Sequence, residues 1–199
     1  MRKFLLAAVA FGFLSVPLSA KAAAERLEFD KTHTQIFFVV NHLGFSNSTG
    51  RFMDFDGHVD FDQDHPSASD VDVTIKTDSL EMNDDAWNKH LKSGDFFNVE
   101  KFPEMTFKST SIAVTGEKTA DISGDLTILG VTKPVVLHTT YNKTDMHPFY
   151  HRKTSGFSAT AHIKRSDFGM NYGLPMVGDD VDIRIEVEAY VPPPPHTEE

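Results

Sequence analysis

Val181-Asp182-Ile183-Arg184-Ile185-Glu186-Val187-Glu188 decides the fold, because apolar and charged side chains alternate without a break. In an extended chain successive side chains leave opposite faces, so this segment has one dry face and one wet face. The same period runs through Val71-Asp72-Val73-Thr74-Ile75-Lys76, Phe157-Ser158-Ala159-Thr160-Ala161-His162-Ile163 and Ile122-Ser123-Gly124-Asp125-Leu126-Thr127-Ile128. Gly124 marks a bend or a close approach in the last of these. Gln35 to Val40 is apolar on both faces, which predicts some cover outside as well. Further strands are expected near 51–61, 104–114 and 134–142. About eight half-polar strands joined by short connections predict an all-β, antiparallel sheet with one dry face. Such a sheet must curl, and closure removes its aggregation-prone edges. A barrel and a two-sheet sandwich both satisfy the alternation.

One short helix is expected near 83–93. Asn83 is the expected cap, with Asp84 and Asp85 in the first turn and Lys89, His90 and Lys92 in the last. That charge order complements the helix dipole. Trp87 and Leu91, four apart, share its apolar stripe.

The 199-residue chain holds seventeen Phe, one Trp, four Tyr and no Cys. Phe brings hydrocarbon without a polar handle, so the dry face is unusually greasy. Residues 1–24 read as a secretory signal peptide: Arg2 and Lys3, an apolar run from Phe4 to Val16, then Ala20-Lys21-Ala22, with cleavage near Ala22 or Ala24. The apolar run is short for a membrane span. Residues 25–190 form one domain, and the Pro-rich tail 191–199 reads as disordered. An exported chain without Cys has neither disulfides nor thiol chemistry. Removing the signal's three basic residues leaves 16 basic against 29 acidic side chains, a charge of −13. That balance works against nucleic acid as a partner.

Five ordered blocks then resemble the YceI-like polyisoprenoid-binding family. They are Asn41-His42-Leu43-Gly44-Phe45-Ser46 with Gly50-Arg51-Phe52 and Asp56-Gly57; Lys89 to Phe97 with Phe102-Pro103; Gly124 to Val135; Gly156-Phe157; and Lys164-Arg165-Ser166-Asp167-Phe168-Gly169. The resemblance spans residues 26–190. It implies a lipocalin-like antiparallel eight-stranded β-barrel with one short helix near a barrel mouth. It also implies a periplasmic location, a long isoprenoid or similar amphiphile inside, and no catalytic residue set. The family usually carries Arg-Asp before His-Leu in the helix, where this chain has Trp87 and Asn88. Leu129 stands where a His often precedes Gly-Val-Thr.

In a hollow barrel the lining follows from strand parity. The family pattern puts Ile36, Phe38, Val40 and His42 inward; Phe52 on the next run and Trp87 on the helix are further candidates. Parity adds Val73, Ile75, Phe107, Leu126, Ile128, Val135, Leu137, Phe157, Ala159, Ile183 and Ile185. Small Ala159 and Ala161 leave volume. A densely filled core is the alternative arrangement of the same residues. His42 is the candidate head-group contact, or else a hydrogen-bonded structural imidazole. His147 and His151 have metal-like spacing, but Pro148 places them in a loop and no third ligand is indicated, so no metal is expected. No cofactor fingerprint appears, and the only bound molecule expected is a lipid. The leading expectation is a binding or carrier protein for a long-chain lipid, not an enzyme. A lipid-modifying enzyme using His42 with Asp56, and a solid-cored partner-binding module, are the alternatives. Phe37 and Val39 could serve a homodimer.

Overall fold

The computed structural model describes residues 24–193. The signal peptide expected over 1–24 lies outside them but for Ala24, as does the tail beyond Pro193. Strands β1 (Glu25–Phe29), β2 (Gln35–His42), β3 (Ser46–Phe52), β4 (Phe55–Phe61), β5 (Asp70–Lys76) and β6 (Leu80–Glu81) come first. Helix α1 (Asp85–Lys92) follows, then β7 (Glu104–Val114), β8 (Thr119–Ile128), β9 (Val131–Met146), β10 (Lys153–Lys164) and β11 (Val177–Tyr190).

Every pairing among the described residues is antiparallel. β1 and β2 both lie along β11; β4 and β3 face them; β5 and β6 face β4 and β3. Each couple is one interrupted barrel strand. Counted this way, the segments form eight strands in simple up-and-down order, closed where β11 meets β1 and β2. The first interruption has a clear local cause. Asp30 Oδ1 accepts from Thr32 N at 3.0 Å, and Asp30 O accepts from Thr34 N at 2.8 Å, so the chain turns before re-entering the sheet. The third holds Thr77, whose hydroxyl donates to Phe102 O at 2.8 Å.

The alternation read in the sequence sets the two faces. On β11, Val181, Ile183, Ile185 and Val187 turn to the interior, while Asp182 and Arg184 are exposed. Gly124 is a close approach: a Cβ there would stand 2.3 Å from the Phe107 ring. Toward the end that carries α1, Phe52, Phe55, Leu80, Phe96, Met105 and Phe168 are buried in one cluster. A smaller cluster of Leu27, Val59 and Ala189 lies toward the far end.

The helix starts one residue later than the sequence suggests. Asp84, not Asn83, is the cap, accepting from Trp87 N at 2.9 Å. Asn83 takes the left-handed turn before it, at φ 59°. Both residue types suit either role, which is why pattern alone chose wrongly. Asn88 pins the helix to the sheet: its Oδ1 accepts from Met82 N at 2.8 Å, and its Nδ2 donates to Glu81 at 3.1 Å.

On the outer face His162 sits between two carboxylates, with Nδ1 2.8 Å from Asp182 and Nε2 3.1 Å from Asp180. Hydrogen bonding to Asp182, then to Asp180, raises its pKa. The imidazolium therefore contributes stability that is fully present below the unfolded value of about 6.5 and is lost as pH rises through the folded value. Thermal melts of His162→Gln should lack that part of the decline above neutrality. An unchanged pH profile would remove the role of this triad.

Candidate ligand cavity

The barrel is hollow. Its lumen has a volume of about 760 Å³. The physical sign is in the side chains themselves: Phe38, Val73, Leu137, Ile183 and Ile185 point inward yet stay only half-buried. Inward apolar groups that remain accessible border a void. The volume falls within the range of ligand pockets, about 300–1,000 Å³.

All seventeen side chains marked by parity and family pattern border this one cavity. Ile36, Phe38, Val40 and His42 descend β2; Phe52, Val73, Ile75 and Phe107 come from the neighbouring strands. Leu126, Ile128, Val135, Leu137, Phe157, Ala159, Ile183 and Ile185 complete the wall, and Trp87 reaches in from α1. Ala161 is buried in the adjoining core instead. Phe157 keeps the register of Ala159 and stands opposite Tyr141; the shift comes just beyond, where Gly156 meets Lys143 and Asn142 is the extra residue. With Phe61 these two rings form a cluster at the far end, centroids 5.2–5.8 Å apart.

At the helix end the His42 and Trp87 rings lie 5.5 Å apart. Phe38 packs on Phe52 and on Phe97, from the segment after α1. His42 and Asp56 are not brought together as an acid–base pair. Asp56 stands opposite Thr74 on β5, where Lys31 Nζ approaches its carboxylate at 2.6 Å. His147 spends Nδ1 on the backbone of its own turn, accepting from Phe149 and Tyr150 N at 3.3 Å. Among the described residues, two other groups gather His with carboxylates, Asp30–His33–Glu188 and His58–Asp60–Asp70. Arginines already engage both, Arg152 at Asp30 and Arg26 at Asp60, each at 2.7 Å.

The family model for the YceI-like domain matches residues 27–189. The chain belongs to the YceI-like family. A UPF0312 protein of Pseudomonas aeruginosa is 41% identical over 94% of this chain and 98% of its own. Among solved structures, BcnA of Burkholderia cenocepacia superposes with a TM-score of 0.74 at 25% identity, covering 80% of this chain and 98% of BcnA. A polyisoprenoid binding domain from Saccharophagus degradans superposes at 0.66, over 85% and 99% of the two chains. At 15% identity it bears on the fold alone.

Within this YceI-like barrel the two unusual helix residues have different jobs. Trp87 closes on the cavity beside His42, whereas Asn88 fastens the helix. Leu129 occupies the β8–β9 turn at φ 51° and packs on the core. Lining residues absent from the sequence reading are of two kinds. Met105, Thr139, Tyr141, Val181 and Val187 extend strand parities and were findable that way, whereas Ile112 turns inward only past the bulge at Ser109–Ser111, which reverses the parity of β7. Phe96, Phe97, Arg165, Met170 and Tyr172 come from irregular segments, where no period marks the inward face.

Proposed function

We propose that this chain is an exported, periplasmic binding protein that holds one isoprenoid-like or fatty amphiphile in the lumen and carries it by burial, without covalent chemistry. The observation that carries the reading is the void bordered by inward, half-exposed hydrocarbon. Each methylene removed from water contributes about 0.8 kcal/mol. A tail of about ten carbons can therefore offset the several kcal/mol of freedom lost on binding. The signal-like N-terminus supports the exported, periplasmic part of the reading.

Organic extraction of protein made with its export signal, followed by mass spectrometry, should release about one long-chain lipid per chain, the stoichiometry a single drug-sized pocket implies. Preparations that stay empty and refuse every long-chain probe would overturn the reading. If α1 covers one mouth, Trp87→Ala should shorten the residence time of a fluorescent lipid severalfold while leaving circular dichroism unchanged. Stopped-flow displacement measures it, and an unaltered off-rate would deny the helix that role.

A further inference from the structure

The motif Lys164 to Gly169 places a buried arginine at the wall of the lumen. Arg165 is 5% exposed, starts the short 3-10 turn Arg165–Phe168, and borders the cavity below α1. Its hydrogen-bond partners are all backbone carbonyls. Nε donates to Gly178 O at 2.7 Å, Nη1 to Met170 O at 3.0 Å and Nη2 to Val177 O at 3.0 Å. A guanidinium has five N–H donors, so one remains on each terminal nitrogen. The nearby carboxylate of Asp179 offers charge compensation from a distance, but its oxygens accept from Ser166 N at 2.9 Å and from Ser166 Oγ at 2.8 Å, not from the guanidinium. Arg152 and Arg26, by contrast, each meet an acid directly. Burial accordingly pulls the Arg165 pKa below the ordinary arginine value.

A buried cation that no acid hydrogen-bonds directly is costly, and two parallel N–H groups fit a carboxylate or phosphate. We propose that Arg165 anchors an anionic head group, so that the amphiphile held in the lumen is a long-chain acid, with its head beneath α1 and its tail running toward the Phe61–Tyr141–Phe157 cluster. This rests on the lumen being a lipid site, and it adds polarity and charge to that reading. His90 and Tyr172 border the same end of the cavity, with their rings 5.2 Å apart.

The test uses the delipidated full chain and two tail-matched pairs: palmitate with methyl palmitate, and farnesyl phosphate with farnesol. The acid of at least one pair should bind about tenfold tighter or more than its neutral partner, as a hydrogen bond to a buried charge implies. That preference should survive high salt, since a buried pair is little screened. The pair that discriminates tells carboxylate from phosphate. Arg165→Met should erase the preference while retaining affinity for the neutral member. Because that variant also removes the three backbone bonds that tie the turn, the comparison on the unmodified protein decides alone. Equal binding within both pairs overturns the head-group assignment and leaves the lipid site standing. Binding of no member overturns both.

Discussion

Ile185→Trp is expected to abolish uptake of long-chain probes, by a hundredfold or more in affinity, while leaving the fold intact or slightly more stable. Ile185 faces the lumen, is half-buried, and stands beside Ala159 on one neighbouring strand and Ile36 on the other. An indole there extends into empty volume and not into packed neighbours, so the usual cost of overpacking does not arise. Filling a void commonly adds about 0.5–2 kcal/mol of stability. Burying even five methylenes contributes about 4 kcal/mol to binding, so excluding a tail of that length removes affinity by several hundredfold. Two measurements check it: titration with a fluorescent fatty probe and a thermal melt. Retained affinity would mean that the tail lies elsewhere.

Gly57→Ala should destabilise the barrel by about 3 kcal/mol or more, the scale of a strained backbone combined with a steric clash. Gly57 sits on β4 at φ +140°, and a Cβ there would lie 2.0 Å from Asp72 O on the paired strand. Two sheet strands would have to part, or the backbone would have to leave a conformation that only glycine takes readily. For a domain of this size the melting point should fall by roughly 6–12 °C. Gly44 is the control. It also has positive φ, at +77°, but nothing stands within 4 Å of a Cβ there. Gly44→Ala should therefore cost only the local strain, about 1–2 kcal/mol. Equal losses at the two positions would remove the contact argument.

The two substitutions probe the parts of the molecule that were most and least legible in the sequence. Ile185 was readable because Val181–Glu188 alternates without a break, and parity carries straight through to which side chains meet the lumen. Gly57 could be quoted as part of a family block, but nothing local says that its missing side chain lets β4 lie against β5. The eight-strand count was also within reach. The sequence does not display how three of those strands are each divided by a turn, at Asp30–Thr34, at Met53–Asp54 and across Thr77–Ser79. Those breaks rest on side-chain hydrogen bonds and contacts between distant segments, such as Thr77 with Phe102. The helix was placed to within a residue. The lining contributed by Phe96, Phe97 and Arg165 was invisible, because irregular chain carries no period and its inward face is set by packing alone.

The join between the two ends of the sheet has a kinetic consequence. Neighbours in sequence can zip together hairpin by hairpin from β7 to β11, each closing a short loop. The seam is different: Ile36 finds Ile185 and Phe29 finds Ala189 only after nearly the whole polypeptide has emerged. Until then β1, β2 and β11 present unpaired edges and an open, oily trough. The enclosed space therefore comes into being in the last step of folding, and a lipid already in that trough would be wrapped by the closing sheet, with no need to thread in afterwards.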